Sequence, residues 1–322
     1  MIARSRHLVA CSAAALAGAV LVAGCGARPL SDLHASEAAA ATALTSEDAP
    51  KLEPAAKTIN SISPDPKLAK LVPTAVRKNG LQFSTSQGYP PMELFASDGS
   101  TIIGVDPALG RAIARVLGLR ITINDADFNA QIPGLLTKRY DIVMSSMSDT
   151  KERQQKVAFV DYVLAGAAMQ VRKGNPDNLT GPGDLCGRTV SVVDNGSSLA
   201  VTEKYSKACT KAGKKKIKIL RFTGDQDALL ALKSGRADTN ITDYVVAASH
   251  AADPKQQLDV VALKGTESPW GIAMNPTGKK LISAVQSALD KLIAGGQYQR
   301  ILAAYNMKGL AVQKATINGG TQ

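Results

Sequence analysis

Aromatic residues make up only 4% of this 322-residue chain, with Trp270 the one tryptophan. That scarcity counts against a nucleic-acid reading of the formal charge of +11, because base-binding grooves set aromatic platforms among their cations. Part of the excess lies in one run, Lys211, Lys214, Lys215, Lys216 and Lys218 around Gly213, which reads as a solvated face. Cysteine is scarce as well, and no histidine lies near Cys186 or Cys209, so a metal site there is disfavoured. The N-terminal apolar stretch, Leu8 to Ala23, is short for a membrane-spanning helix. With 45% hydrophobic and 20% charged residues, the bulk of the chain has the composition of an ordinary globule. Its length allows one large or two medium domains.

The N-terminus has the layout of a targeting segment. Arg4, Arg6 and His7 precede the apolar stretch, which closes in Leu21-Val22-Ala23-Gly24-Cys25. Small residues directly before a cysteine resemble the cleavage and acylation signal of bacterial lipoproteins; a plain secretory signal is the alternative. Residues 1–24 are therefore expected to be a signal peptide, with Cys25 the lipid anchor that holds the protein to the outer face of the cell membrane. Residues 25–64 are rich in Ala, Ser, Thr, Glu and Pro and read as a flexible tether. Cys11 leaves with the signal, so Cys186 and Cys209 form the remaining pair. Outside the cytoplasm they read as a disulfide, two buried thiols being the alternative.

Beyond residue 65 strands and helices alternate. A helix is expected over Lys67–Lys78, stopping at Asn79-Gly80, then a strand at Leu81–Thr85 and a turn at Asp98-Gly99. Asp106 reads as the N-cap of a helix over Pro107–Leu117, with Gly118 past its end. The strand–loop–helix pattern restarts after Arg172, with strands at Thr189–Val193, Ile217–Leu220 and Asp238–Thr242. Two helices (Gly278–Ile293 and Gln297–Tyr305) close the chain and the tail after Leu310 is expected to fray. The fold class is α/β, and the repeat implies two lobes around a cleft, with sites at the carboxyl ends of strands.

The stretch Asp141–Arg153 carries the most chemistry. A short apolar strand leads into Ser145, Ser146 and Ser148, then into Arg153, whose planar fork of donors matches a carboxylate. It holds no nucleophile–base pair. Three further features complement it: Gly196-Ser197-Ser198 at a helix start, suited to an anion; Asp243 at a strand end, suited to an ammonium; and the loop aromatics Tyr89 and Phe128. Two positive elements, one negative and two flat faces match an α-amino acid.

These residues stand in an order that resembles the extracytoplasmic polar amino acid-binding proteins of ABC importers, the bacterial extracellular solute-binding family 3. The resemblance rests on Tyr89-Pro90-Pro91-Met92-Glu93, Gly104-Val105-Asp106, Met147-Ser148-Asp149-Thr150-Lys151-Glu152-Arg153, Gly196-Ser197-Ser198 and Ala231 to Asp238, and it runs from about Asp65 to Leu310. It implies a two-lobed periplasmic-binding-protein-like (type II) fold with a hinge of two crossing strands. Lobe 1 would cover residues 65–166 and 268–310, lobe 2 residues 167–267, and residues 311–322 the tail. By the same resemblance Arg153 and Ser198 bind the ligand carboxylate, Asp243 with the Ser146/Ser148 region holds the ammonium, and Tyr89 and Phe128 pack on the side chain. Where the family commonly has an aromatic and a second acid after Gly104, this chain has Val105 and Ala108, framework positions at which packing is altered. Ser86 stands where relatives that bind basic amino acids tend to carry an acid, which points to a polar, uncharged side chain. The expected protein is a monomer that delivers an amino acid to a permease, without cofactor, metal, nucleic acid or catalytic residue. The rival is a cyclohexadienyl (prephenate or arogenate) dehydratase-like enzyme on the same fold, using Asp243 and a second acid such as Glu93, Glu203 or Glu267.

Overall fold

A computed structural model describes residues 47–321. The signal peptide, Cys25 and the tether up to residue 46 lie outside the described residues. The helices are α1 (Ala56–Asn60), α2 (Pro66–Ala69), α3 (Thr74–Asn79), α4 (Val105–Leu117), α5 (Phe128–Leu136) and α6 (Lys151–Gln154). Then come α7 (Ser197–Lys211), α8 (Asp225–Lys233), α9 (Tyr244–Ala252), α10 (Lys279–Ala294) and α11 (Gln297–Ala304).

The strands divide between two large sheets. The first has the order β13-β6-β12-β5-β1-β4, from β1 (Leu81–Thr85), β4 (Ile121–Asp125), β5 (Ile142–Val143), β6 (Ala158–Ala165), β12 (Ser268–Met274) and β13 (Ala311–Ile317). The second has the order β11-β7-β10-β8-β9, from β7 (Ala167–Arg172), β8 (Thr189–Val193), β9 (Lys218–Phe222), β10 (Thr239–Asp243) and β11 (Leu258–Ala262). A small hairpin, β2 (Leu94–Phe95) and β3 (Ile102–Ile103), turns at Asp98, whose carboxylate accepts from the Ser100 and Thr101 amides. The chain leaves the first sheet at Gly166 and returns to it at Ser268, so two connections join the lobes.

In each sheet three neighbouring strands run parallel: β4, β1 and β5 in the first, β9, β8 and β10 in the second. Parallel strands need crossovers, and the helices supply them while covering both faces. Each lobe has its own apolar core, built on α4, α10 and α11 in lobe 1 and on Met169, Val190, Val192 and Ile241 in lobe 2. Trp270, readable from sequence as core or cleft, is buried in the first of these, as are Val105 and Ala108. The lysine run at 211–218 is exposed, and Asp238 serves a structural bond, accepting from the Thr189 amide at 2.7 Å.

Four expectations are corrected. The stretch from residue 47 to 64 is packed and does not behave as a tether. Ala49, Ala55, Ile59 and Ile62 enter the lobe 1 core, and Arg115 ties the segment down by donating to the carbonyls of Glu47, Asn60 and Ile62. Its apolar residues are too few to announce a core element, yet all but the exposed Leu52 pack against one. The helix expected over Lys67–Lys78 is two short helices, because Pro73 separates them. Asp106 is not a cap: α4 begins at Val105, behind Gly104 at φ 130°, where a Cβ would meet the Met92 carbonyl oxygen at 2.1 Å. The Asp106 carboxylate turns inward to accept from the Ser146 amide and the Tyr162 hydroxyl, at 2.8 and 2.7 Å. Finally, residues 311–317 do not fray but form β13, antiparallel to β6.

Cys186 and Cys209 form a disulfide in lobe 2. It joins the turn before β8 to the last part of α7 across a sequence separation of 23. A loop of that size restricts the unfolded chain by about 3 kcal/mol. Cys186→Ser with Cys209→Ser is expected to lower the unfolding free energy by that order in denaturant titration; an unchanged midpoint would show that the bridge adds no stability.

Candidate functional site

A single pocket gathers the loops that follow all six of those parallel strands. Ser86 to Glu93 follow β1, Phe128 follows β4, and Ser145 to Arg153 follow β5. From lobe 2 come Gly196 to Ser198 after β8, Thr223 to Asp225 after β9, and Asp243 at the end of β10. The pocket takes in about 610 Å³ of non-protein space, open solvent included. Ser86, Tyr89, Phe128, Ser146, Ser148, Arg153, Ser198 and Asp243 all line it.

Arg153 reaches the pocket from α6, whose first turn is capped by the Thr150 hydroxyl. Its guanidinium donates to the Ser148 carbonyl at 2.9 Å and across the cleft to the Asn195 carbonyl at 2.6 Å. The Phe128 ring lies 5.5 Å from it, a cation–π distance. Burial draws its pKa below the usual value. Two of its five N–H donors are thus committed to backbone, and the rest remain for a carboxylate. Ser146 sits at φ 51°, a conformation rare for residues other than glycine, held by the hydrogen bond its backbone N–H donates to the Asp106 carboxylate. α7 starts at Ser197 with no side chain capping it, so its first N–H groups remain for an anion.

Asp243 is buried at the opposite side of the charge pattern. Tyr89 donates its hydroxyl to the Asp243 carboxylate at 2.5 Å and lies 3.0 Å from the Thr242 hydroxyl, so the tyrosine bridges the lobes. Burial pushes Asp243 up to about 6, against the pull of the Tyr89 hydrogen bond and the Arg153 charge. Two more bridges lie at the rim: Asn195 donates to Asn129 at 3.0 Å, and Gln226 to the Gly88 carbonyl at 3.0 Å.

Sequence reasoning missed Asp225 as a pocket residue, because it reads as an ordinary first-turn acid of α8. One of its carboxylate oxygens accepts from Thr242 at 3.0 Å; the other is buried without a hydrogen bond, 3.7 Å from His250. Burial raises it to about 7 and lowers His250 to about 4, so the imidazole is neutral. Glu93, quoted only as a motif residue and a candidate acid, also lines the pocket. Burial and the neighbouring Asp106 hold its pKa well above the carboxylate range, and its proton is shared toward Asp106. Of the other candidate acids, Glu203 pairs with Arg221 at 2.8 Å outside the pocket, and Glu267 is exposed beside Gly166. Among the described residues no cluster of acids, histidines and cysteines could hold a metal, and no helix is long and apolar enough to cross a membrane.

Two α/β lobes on a double connection, with a charged pocket at facing strand ends, define a solute-binding protein of the periplasmic type. Residues 81–308 match the bacterial extracellular solute-binding proteins, family 3, and the chain belongs to that family. Its members act outside the cytoplasm, binding amino acids for delivery to ABC transporter permeases. An arginine-binding protein of Corynebacterium glutamicum is 33% identical over 261 residues, covering 79% of this chain and 84% of that protein. An ancestral arginine-binding protein has been solved with arginine bound (31% identity, TM-score 0.64, 70% of this chain and 97% of that one). An ancestral arginine-binding protein solved with glutamine bound matches at 29% identity, with the same TM-score and coverage. An ancestral amino acid-binding protein described as a precursor of cyclohexadienyl dehydratase is 28% identical, with TM-score 0.62 over 72% of this chain and 97% of that one.

The buried acids set a pH dependence. Asp106, Asp161, Asp225 and Asp243 have folded pKa values of about 6, 6, 7 and 6, above their unfolded value of 3.8. A raised carboxyl favours the fold while protonated, and that contribution is lost as pH rises through the folded pKa. His250 acts oppositely below its unfolded value of 6.5, but it is one group against four. The ligand-free protein is therefore expected to melt at a higher temperature near pH 5.5 than near pH 8 in scanning calorimetry. A lower melting temperature at the acidic end would contradict the raised folded pKa values of these carboxyls.

Proposed function

We propose that this chain captures an L-amino acid outside the membrane and hands it to the permease of an ABC importer. The observation that carries the reading is the placement of Arg153 and Asp243 in one pocket, each brought by a different lobe. Arg153, the Ser198 hydroxyl and the α7 N-terminus receive the carboxylate. Asp243, with Ser146 and Ser148, receives the ammonium, and Tyr89 and Phe128 flank the side chain. Closure removes water from these contacts and so strengthens each charged pair.

The side chain is polar and offers hydrogen-bond donors. Ser86 and the protonated acids favour an uncharged group such as a carboxamide. A cationic side chain is the nearest competitor, because ionised Asp225 would pair with it. The dehydratase reading draws on Glu93, a protonated carboxyl in the pocket. Release of phenylpyruvate from prephenate or arogenate would establish it and displace the transport reading. Cys25 is proposed as the lipid anchor; Cys25→Ser should then abolish palmitate labelling and free the protein from membranes.

The decisive binding test is calorimetry on protein unfolded and refolded to strip carried ligand, titrated with all twenty L-amino acids. The expressed chain should include residues 47–64, since they belong to the core. Binding at about −8 kcal/mol or better to one or a few is expected. Arg153→Ala should weaken it by roughly 2–5 kcal/mol, since a desolvated carboxylate would lose its main partner. A loss below about 1 kcal/mol would remove Arg153 from the site. Silence across the panel would overturn the amino acid reading.

A further inference from the structure

The family match ends at residue 308, yet the chain continues through β13 and on to the back of the Ser145–Arg153 loop. Past the strand, Asn318 exchanges hydrogen bonds with Phe159, its amide donating to the carbonyl and its side chain accepting from the amide. Asp161 accepts from the Thr316 hydroxyl at 2.7 Å and the Gly319 amide at 3.0 Å. The Gly320 amide then donates to the Asp149 carboxylate at 2.8 Å. Gln154 closes the ring: its amide donates to the other Asp149 oxygen at 2.8 Å and to the Gly320 carbonyl at 3.0 Å.

Asp149 lies directly after Ser148, is fully buried, and points away from the pocket that Ser148 and Arg153 line. Gln154 directly follows Arg153. The tail thus grips the two residues next to the two that face the cleft. The approach is so close that a Cβ on Gly320 would fall 1.7 Å from the Asp149 carbonyl oxygen, and one on Gly319 would fall 2.5 Å from the Asp161 carboxylate. Backbone must lie flush there, which only glycine permits. On the inner side the loop is held by Asp106 through the Ser146 amide, and along its edge by β12, through the Asp149 amide to Pro269 and the Gly271 amide to Met147. Ser145 adds bonds to Glu93 and to the Ser86 amide, and the tail supplies a further support from behind.

We propose that residues 311–320 form a strap whose end, through Asp149 and Gln154, fixes the ligand-facing loop and thereby sets how tightly the pocket holds a carboxylate. Asp149, Gln154 and Gly320 are positioning residues on this account; none of them touches the ligand. The proposal rests on the amino acid-binding reading for its effect on the ligand, but not for its effect on the loop.

The test compares the full chain with a version lacking residues 318–322, which keeps β13, and with Gly320→Val, which lifts the strap without shortening it. Lys314→Ala, on the exposed face of β13, is the control. Hydrogen exchange over residues 145–153 should quicken by about tenfold or more in both strap variants, with β8 and α7 of lobe 2 unchanged. Dissociation of the tightest-binding member of the twenty-amino-acid panel should quicken by a similar factor. Unchanged exchange in 145–153, or an increase spread evenly over lobe 1, would overturn the proposal. So would faster loop exchange with an unaltered ligand dissociation rate. If no amino acid binds the full chain, the functional reading fails alone, and the exchange data still decide whether the strap holds the loop.

Discussion

The structure is organised around a guanidinium and a carboxylate that both face a cleft from which water can be squeezed. Removing either ion from water costs several kcal/mol unless its bonds are replaced. Arg153 meets the Ser148 and Asn195 carbonyls and the Phe128 ring, and Asp243 takes the Tyr89 hydroxyl. Arg153 has partners on both sides of the cleft and Asp243 has one across it, so the same contacts that solvate the ions also draw the lobes together. A zwitterion fits such a site because it adds a third and fourth charge in the complementary order. Its carboxylate offers Arg153 the two-point contact that a backbone carbonyl cannot. Its ammonium offers Asp243 a charge where Tyr89 offers only a dipole.

Behind these groups stands a layer of buried acids whose work is structural. Glu93 shares its proton toward Asp106, and Asp106 also holds the Ser146 amide and the Tyr162 hydroxyl. Ser145 donates to Glu93 at 3.2 Å while accepting from the Ser86 amide at 3.0 Å. The loops after β1 and β5 are therefore fixed to each other by one hydrogen-bonded network. Networks of this sort favour a single geometry when every member is satisfied, and the unusual backbone of Ser146 needs that support. The raised carboxyl pKa values are the trace of this arrangement, since burial is the largest cause of each.

Much of this was legible in the sequence, for a definite reason. Arg153, Ser148 and Asp243 sit at strand ends and helix starts, where β-branched runs, glycines and capping residues mark the boundaries. Asp225 escaped because an acid in a first helical turn is ordinary, and only the tertiary fold shows one of its oxygens buried without a hydrogen bond. Asp106 was misread for the converse reason: its local setting is that of a cap, and distant donors on Ser146 and Tyr162 outcompete the helix amides. Residues 47–64 and 311–317 read as tether and tail because neither carries a sustained apolar period. Their stability comes from sockets built by residues far away in sequence, Arg115 for the first and the edge of β6 for the second, and no local pattern announces a socket.

The two lobes are reinforced by different means, and the difference bears on how the cleft works. Lobe 1 is wrapped by the segment before β1 and edged by β13, whereas lobe 2 has a disulfide between the approach to β8 and α7. Neither device crosses the cleft. Connection between the lobes is left to the chain at Gly166, where β6 passes into β7, and to residues 263–267 between β11 and β12. Gly166 also accepts from the Tyr244 amide, one residue past Asp243. The connection at Gly166 is thus hydrogen-bonded to the residue next to Asp243. Stiff lobes on a narrow connection move as bodies, so opening separates Arg153 from Asn195 and Tyr89 from Asp243 together. Stiffness within the lobes is what turns a few contacts with a small ligand into motion of the whole molecule, because a deformable lobe would absorb them locally.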